Sequence, residues 1–116
     1  GDENMDMQVQ DGSGNTVVNA QIGNNNKAST QQYSSRRGGM NVSLLAQIGD
    51  DNVACIEQTT EYRSGDNWNF ALQLGDDNTY HLSQTAMRYN PGNISLLGQI
   101  GNGNSVCVEQ INGTHR

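Results

Sequence analysis

A repeat with a period of 26 residues constrains the fold of this chain more than any other feature. The stretch "QIGDDN" at 47–52 has near-copies at 21–26, 73–78 and 99–104. Each of the four units fits the pattern N-x5-Q-x-G-x-x-N-x5-Q, with no insertion or deletion between units. The five constant columns are Asn15, Asn41, Asn67 and Asn93; Gln21, Gln47, Gln73 and Gln99; Gly23, Gly49, Gly75 and Gly101; Asn26, Asn52, Asn78 and Asn104; and Gln32, Gln58, Gln84 and Gln110. A fixed period of this length is typical of repeat architectures, in which each unit packs on its neighbours.

The spacing within a unit predicts two short strands joined by a tight turn. The segments 41–47 and 52–58 have the usual length of a strand, and Gly49 between them supplies the unusual backbone angles of a turn. Side chains alternate along a strand, so Asn41, Leu45 and Gln47 share one face. Each unit therefore has a thin apolar centre with amide side chains at both ends.

Stacking of the units solves the instability of a single strand pair. A lone hairpin is marginal in water, but stacked copies pair strand on strand and turn each amide column into a hydrogen-bonded ladder. We therefore predict an all-β fold: a cross-β solenoid of four 26-residue strand-turn-strand rungs at 15–40, 41–66, 67–92 and 93–116, stacking into a fibre. Two alternatives, a sandwich of four hairpins and a polar linker with accidental repetition, do not require identical columns.

Residues 1–14 precede the repeat. They are acidic and lack the full pattern, although "MDMQVQ" alternates well enough to form a strand. This segment is expected to cap the first rung, to cross to a neighbouring subunit as a donated strand, or to form a disordered tail.

The composition excludes several classes of protein. Hydrophobic residues make up 33% and charged residues 16%, so the chain has too few apolar residues for an ordinary hydrophobic core and too few charges for a typical disordered protein. A net charge of −6 argues against nucleic acid and anionic membranes as partners. No segment approaches the roughly 20 apolar residues of a membrane span. Because the sequence begins at Gly1 and not at Met, we expect a processed chain, which leaves a secreted origin open.

No constellation of residues predicts catalysis, a cofactor or a metal. His81 and His115 are the only histidines, and no Ser, His and Asp set suggests a nucleophile with its base. Cys55 and Cys107 share a column with His81, which gives three ligands in a straight line and poor tetrahedral geometry. Two rungs separate the cysteines by about 9.6 Å, too far for a disulfide within one chain. We expect Cys55 and Cys107 to be free thiols or to form disulfide bonds between chains.

The outward side chains of the first strand of each rung are apolar. A continuous stripe of this kind usually marks an interface. We predict that it packs against a second protofilament or the N-terminal segment; the alternative is a set of scattered surface residues. The predicted lateral interface comprises Ile22, Leu44, Ile48, Phe70, Leu72, Leu74, Leu96 and Ile100.

The two long edges of the predicted solenoid carry opposite charge. The short turns contain paired aspartates such as Asp50 and Asp51, while the longer loops contain arginines and tyrosines such as Arg88 and Tyr89. The simpler interpretation is solvated turns. The functional one is lateral bundling, or capture of cations or a matrix polysaccharide.

The repeat resembles the curlin repeat, whose pattern is S-x5-Q-x-G-x-x-N-x5-Q. The Q-x-G-x-x-N-x5-Q part matches in all four units, and Asn stands where the curlin repeat usually has Ser. The resemblance extends over 15–110. It implies an extracellular functional amyloid, the structural subunit of a curli-like fibre on the cell surface, in a biofilm matrix.

The function expected from the sequence is self-assembly into a fibre, with the chain itself as the partner. Open edges at both ends of the stack would template further pairing, and a head-to-tail contact does not close. The alternatives are a soluble β-solenoid that binds a ligand such as a glycan or ice, and a minor adhesin or nucleator at a fibre tip.

Overall fold

The computed structural model describes residues 3–35, 37 and 39–113. Within these residues the chain forms nine β-strands and no helix. The strands are β1 (Met5–Asp11), β2 (Asn15–Ile22), β3 (Lys27–Ser34), β4 (Asn41–Ile48), β5 (Val53–Thr60), β6 (Asn67–Leu74), β7 (Thr79–Ala86), β8 (Ile94–Ile100) and β9 (Ser105–Asn112). They form two parallel sheets: sheet A has the order β1-β3-β5-β7-β9, and sheet B has the order β2-β4-β6-β8. The predicted all-β solenoid is confirmed.

The strands of neighbouring rungs pair in register with the repeat. In sheet B, Asn41 lies opposite Asn67 and Gln47 lies opposite Gln73. In sheet A, Gln58 lies opposite Gln84. The four rungs β2–β3, β4–β5, β6–β7 and β8–β9 therefore stack copy on copy, as the 26-residue period predicts.

The short turn between the two strands of a rung needs glycine for two reasons. Gly49 has a φ of 123°, which disfavours other residues. In addition, a Cβ at this position would collide with the carbonyl oxygen of Gly75 in the next rung. Two residues later Asp51 has a φ of 58°, a left-handed conformation that Asn and Asp tolerate better than most residues. The turns also stack, because the carboxylate of Asp76 accepts a hydrogen bond of 2.8 Å from the backbone N–H of Asp50.

The core lies between the sheets and is narrow. Its largest buried apolar side chains are Tyr80, Leu82, Ile56 and Leu45. The Tyr80 hydroxyl donates to Asn69 Oδ1 at 2.9 Å and lies 3.2 Å from Ser95 Oγ. Burial raises the pKa of Tyr80 above its usual value of 10.0, and the hydrogen bond with Ser95 opposes this shift.

Strand β1 adds a half rung that caps the first repeat in sheet A, which is one of the three alternatives left open by the sequence; its match to the amide columns was missed. Met5 lies opposite Lys27 in sheet A. Asn4 accepts a bond of 3.0 Å from the backbone N–H of Asn26, and Gln10 Nε2 donates to Gln32 Oε1 at 3.0 Å. Asn4 and Gln10 therefore extend two of the amide columns, and the N-x5-Q spacing at 4–10 was the available signal.

Candidate self-assembly site

The two glutamine columns form continuous side-chain ladders that run in one direction. In sheet B, each Nε2 donates to the Oε1 one rung on, with distances of 2.9, 2.8 and 2.8 Å from Gln21 to Gln99. In sheet A, the ladder from Gln10 to Gln110 has distances of 3.0, 2.7, 2.8 and 2.7 Å. Members of both ladders also reach the opposite sheet; Gln58 Nε2 donates to the carbonyl of Val42 at 3.1 Å. The glutamines therefore hold both the rungs and the two sheets together.

The two asparagine columns bond differently from each other. In the column that begins at Asn15, each Nδ2 donates to the Oδ1 of the preceding rung at 3.0–3.1 Å. The column that contains Asn52 differs from the expected amide ladder. Asn52 Oδ1 accepts from the backbone N–H of Asn78 at 3.0 Å, and Asn52 Nδ2 donates to the carbonyl of Gly75 at 2.7 Å. This column therefore links rungs by capping the turn backbone.

The end of the solenoid formed by β8 and β9 is an unfinished copy of the interior. No described strand pairs with the outer edge of either strand. Leu97, Val106 and Val108 point inward and pack against the core, but they are only partly buried, because no further rung covers them. Gln110 accepts the ladder bond from Gln84 and donates to the carbonyl of Ile94 at 3.0 Å. This end displays the surface that each interior rung presents to the next.

The opposite end, formed by β1 and β2, has a polar inner surface. Asp6 pairs with Ala28, in a column that continues through Ala54 and Tyr80. Asp6 Oδ1 accepts from Asn19 Nδ2 at 2.7 Å, and its Oδ2 accepts from Gln8 Nε2 at 2.7 Å. We call Asp6, Gln8 and Asn19 the polar lid. The apolar side chains of β1, which are those of Met5, Met7 and Val9, point outward and are half-exposed or more.

The outer face of sheet B is apolar and uncovered within the described residues. Phe70, Leu96 and Ile100 have exposed fractions of 47%, 77% and 76%, which are high for side chains of this size. Of the other predicted residues, Ile22, Ile48 and Leu72 are exposed, while Leu44 and Leu74 are half-buried. A groove of about 500 Å³ runs along this face, between the column of Phe70 and a column of smaller residues that ends at Gly98. Strand β1 lies in sheet A and does not cover this face.

The outer face of sheet A is polar and carries both cysteines. Cys55 and Cys107 are free and exposed, and His81 lies between them in the same column. Within 3–35, 37 and 39–113 no group of three or more His, Cys, Asp or Glu residues is arranged to hold a metal ion. His115 lies outside the described residues.

The long loops bring arginine and tyrosine side chains together at one edge. The Arg88 guanidinium carbon lies 5.2 Å from the ring centre of Tyr62 and 4.9 Å from that of Tyr89. Arg63 contacts the Tyr62 ring at 5.2 Å, and the two tyrosine rings meet edge to face. These cation–π contacts make an exposed cluster with flat apolar faces and hydrogen-bond donors. Arg36, which the sequence assigns to the same edge, lies outside the described residues.

No family model matches the chain, and no curated protein matches it significantly. Over the residues that the structure covers, no helix is long and apolar enough to cross a membrane.

Proposed function

We propose that this chain is the structural subunit of an extracellular fibre, in which copies stack head-to-tail along the solenoid axis. The observation that carries the proposal is the unfinished end at β8 and β9, where two directed amide ladders and a partly covered apolar core stop at exposed edges. Exposed parallel edges of this kind template the pairing of another chain.

The direction of the ladders favours head-to-tail stacking. At the unfinished end, Gln99 and Gln110 accept the ladder bond through Oε1, and each Nε2 donates to a carbonyl of the opposite sheet but has no next glutamine to which to donate. At the other end of sheet B, Gln21 Oε1 has no rung before it from which to accept. Donor therefore meets acceptor only when unlike ends join, and such a contact grows an open filament.

The biological setting of the proposal comes from the curlin-like repeat. A fibre subunit of this type serves a biofilm matrix and surface adhesion, and it works outside the cell. The exposed cluster of Tyr62, Arg63, Arg88 and Tyr89 would repeat along the filament at every subunit. A row of such clusters suits multivalent binding of a matrix polysaccharide, because weak contacts add up when they are linked.

Electron microscopy and fibre diffraction of the purified chain test the proposal. We expect unbranched filaments with a repeat of about 4.8 Å along the axis, the spacing of stacked strands. The variant Val108→Asp places a charge on the inward side of the β9 edge and should abolish filaments. Its control is Ser105→Asp, which adds the same charge to an outward, exposed position of the same strand. A wild-type chain that stays monomeric would refute the proposal.

One observation favours a second candidate, a nucleator or adhesin at a fibre tip. The polar lid covers the sheet A side of one end of the solenoid, while no described strand covers the outer edge of β8 or β9 at the other end. A chain with one capped end would bind to a filament and stop its growth. In that case the pure chain would stay monomeric, because two open ends do not pair with each other, and adding it to filaments of a different subunit would block one end of those filaments.

A further inference from the structure

We propose that β1 is a displaceable strand: when copies stack, β1 leaves β3, and β9 of the neighbouring copy takes its place. The inference rests on the proposed fibre function and defines which surfaces form its junction. The partner is a second copy of this chain, and the surface that receives it is the edge of β2 and β3 that β1 partly covers in the isolated chain.

The polar lid is the first argument for displacement. If β1 stayed in place, Val106 of one copy would lie over Asp6 of the next, and Val108 would lie over Gln8. The Asp6 carboxylate would then be enclosed in the core, with the neutral amides of Gln8 and Asn19 as its hydrogen-bond partners. Burial of a carboxylate without a cationic partner is strongly unfavourable. Asn19, which stays at this end when β1 leaves, has a neutral amide that costs less to bury than the Asp6 carboxylate.

The number of strands in each sheet is the second argument. The described residues contribute five strands to sheet A and four to sheet B. Two copies joined through β1 would leave sheet B one strand short at each junction, because sheet A would advance by five strand spacings and sheet B by four. The edges of β8 and of the neighbouring β2 would then stay unpaired, and Leu97 would stay uncovered. Removal of β1 leaves four strands in each sheet, and both sheets become continuous.

The displaced arrangement extends the register of the repeat without a break. Strand β9 pairs with the neighbouring β3, so Val106 lies over Ala28 and Val108 over Thr30. Strand β8 pairs with the neighbouring β2, and Gln99 donates to Gln21. The junction then has the same pairings as the contacts between β5 and β7 or between β4 and β6 inside one chain.

The contacts of β1 suit a strand that is released. All seven of its residues are exposed, whereas β5 and β7 bury every second residue. Its side-chain bond to the glutamine ladder, from Gln10 to Gln32, is the terminal rung of that ladder. While β1 is bound, it occupies the edge of β3 and blocks the entry of another copy. Release of β1 therefore sets the rate at which filaments start and grow.

A reversible disulfide between β1 and β3 tests this inference. Val9 and Gln31 are paired and point outward, and neighbouring strands lie about 4.8 Å apart, which suits a disulfide. We would make Val9→Cys with Gln31→Cys in a background in which Cys55 and Cys107 are replaced by serine. The matched control is Glu57→Cys with Ser83→Cys, a pair in the same column that joins β5 to β7 and leaves β1 free.

We expect the oxidised Val9–Gln31 variant to form filaments at least tenfold more slowly than its reduced form. The oxidised control should grow as fast as its reduced form. Equal growth of the oxidised and reduced Val9–Gln31 variant would overturn the inference but leave the fibre function intact. If the serine background and the wild-type chain form no filaments, the fibre function fails and this inference fails with it.

Two measurements on wild-type filaments avoid the disulfide altogether. The axial rise per subunit should be about 19 Å, which is four strand spacings, whereas a junction that keeps β1 requires about 24 Å in sheet A. Hydrogen exchange should show that the β1 amides bonded to β3 in the free chain exchange rapidly in the filament. A rise of five strand spacings, or continued protection of β1, would overturn the inference.

Discussion

Two substitutions in one glutamine column should separate the stability of the chain from its assembly. Gln58 is fully buried in the middle of the ladder; it accepts from Gln32 at 2.7 Å and donates to Gln84 at 2.8 Å and to Val42 at 3.1 Å. Gln110 ends the same column at the β9 edge, where it accepts from Gln84 and donates to Ile94. We compare Gln58→Ala with Gln110→Ala.

The expected magnitudes follow from what remains unpaired. Gln58→Ala removes two buried hydrogen bonds and one part-buried hydrogen bond and leaves their partners unpaired, so the free energy of unfolding should fall by about 3–5 kcal/mol. Gln110→Ala exposes its partners to solvent in the free chain, so the same quantity should fall by about 1 kcal/mol. In a filament, however, Gln110 becomes an interior residue like Gln58. A further loss of about 2 kcal/mol at each junction raises the critical concentration for assembly about 30-fold.

Urea denaturation of the dilute monomer gives the first quantity, and sedimentation of filaments from a concentration series gives the second. Gln58→Ala should mainly lower the free energy of unfolding of the monomer, and Gln110→Ala should mainly raise the critical concentration for assembly. The reasoning would be refuted if both variants destabilised the monomer equally, or if Gln110→Ala assembled at the wild-type critical concentration.

Three further predictions concern the core, the turn and the outer face. Tyr80→Phe should lower the free energy of unfolding at neutral pH by about 1–3 kcal/mol, because Asn69 Oδ1 loses its donor. Above pH 10 the wild type should lose stability relative to the variant, because the pKa of Tyr80 is raised in the folded chain and the unfolded chain therefore ionises first. A constant difference in stability between wild type and variant from pH 8 to 11 would contradict this. Gly49→Ala should lower the free energy of unfolding by about 2 kcal/mol or more, because it combines a strained φ with a collision at the next rung. Gly98→Ala, which has open space around it, should lower it little, and similar melting temperatures of the two variants would contradict this. Leu72→Lys should leave single filaments intact and abolish their lateral pairing in electron micrographs, whereas Val53→Lys on sheet A should not; unchanged bundles would exclude the apolar face as the contact.

The repetitive part of the fold could be predicted because each rung obeys the same constraints. The 26-residue spacing fixes the register of all four rungs, and the glycine at the start of each short turn marks where the chain reverses. Alternation along the strands then indicates which side chains point inward. These are local properties, and they do not depend on which side chains occupy the core of a particular rung.

The features that could not be predicted depend on a break in the repeat or on one rung alone. Four residues separate Gln10 from Asn15, whereas eight separate Gln32 from Asn41, so the half rung at β1 lies outside the 26-residue register and escapes a search for that period. The hydrogen bond from Tyr80 to Asn69 occurs in one rung and has no counterpart in the others. A column of identical amides also does not reveal whether the partner is another amide or the turn backbone.

Substitutions at the two ends of the solenoid differ from substitutions in the interior rungs in how they affect the monomer and the filament. Every interior rung forms the same contacts above and below, so a substitution there changes the stability of the monomer and of the filament together. At the ends the two properties separate. Val108 and Gln110 are less buried in the free chain than their interior counterparts, but they would form half of each junction. Asp6 stabilises the polar lid of the free chain and opposes a junction that includes it. A chain of regular rungs can therefore control its own polymerisation only through its terminal strands. The two central inward residues of β1, Asp6 and Gln8, are polar, whereas those of β5, β7 and β9 are apolar, and this contrast is the physical reason to look for that control in residues 4–11.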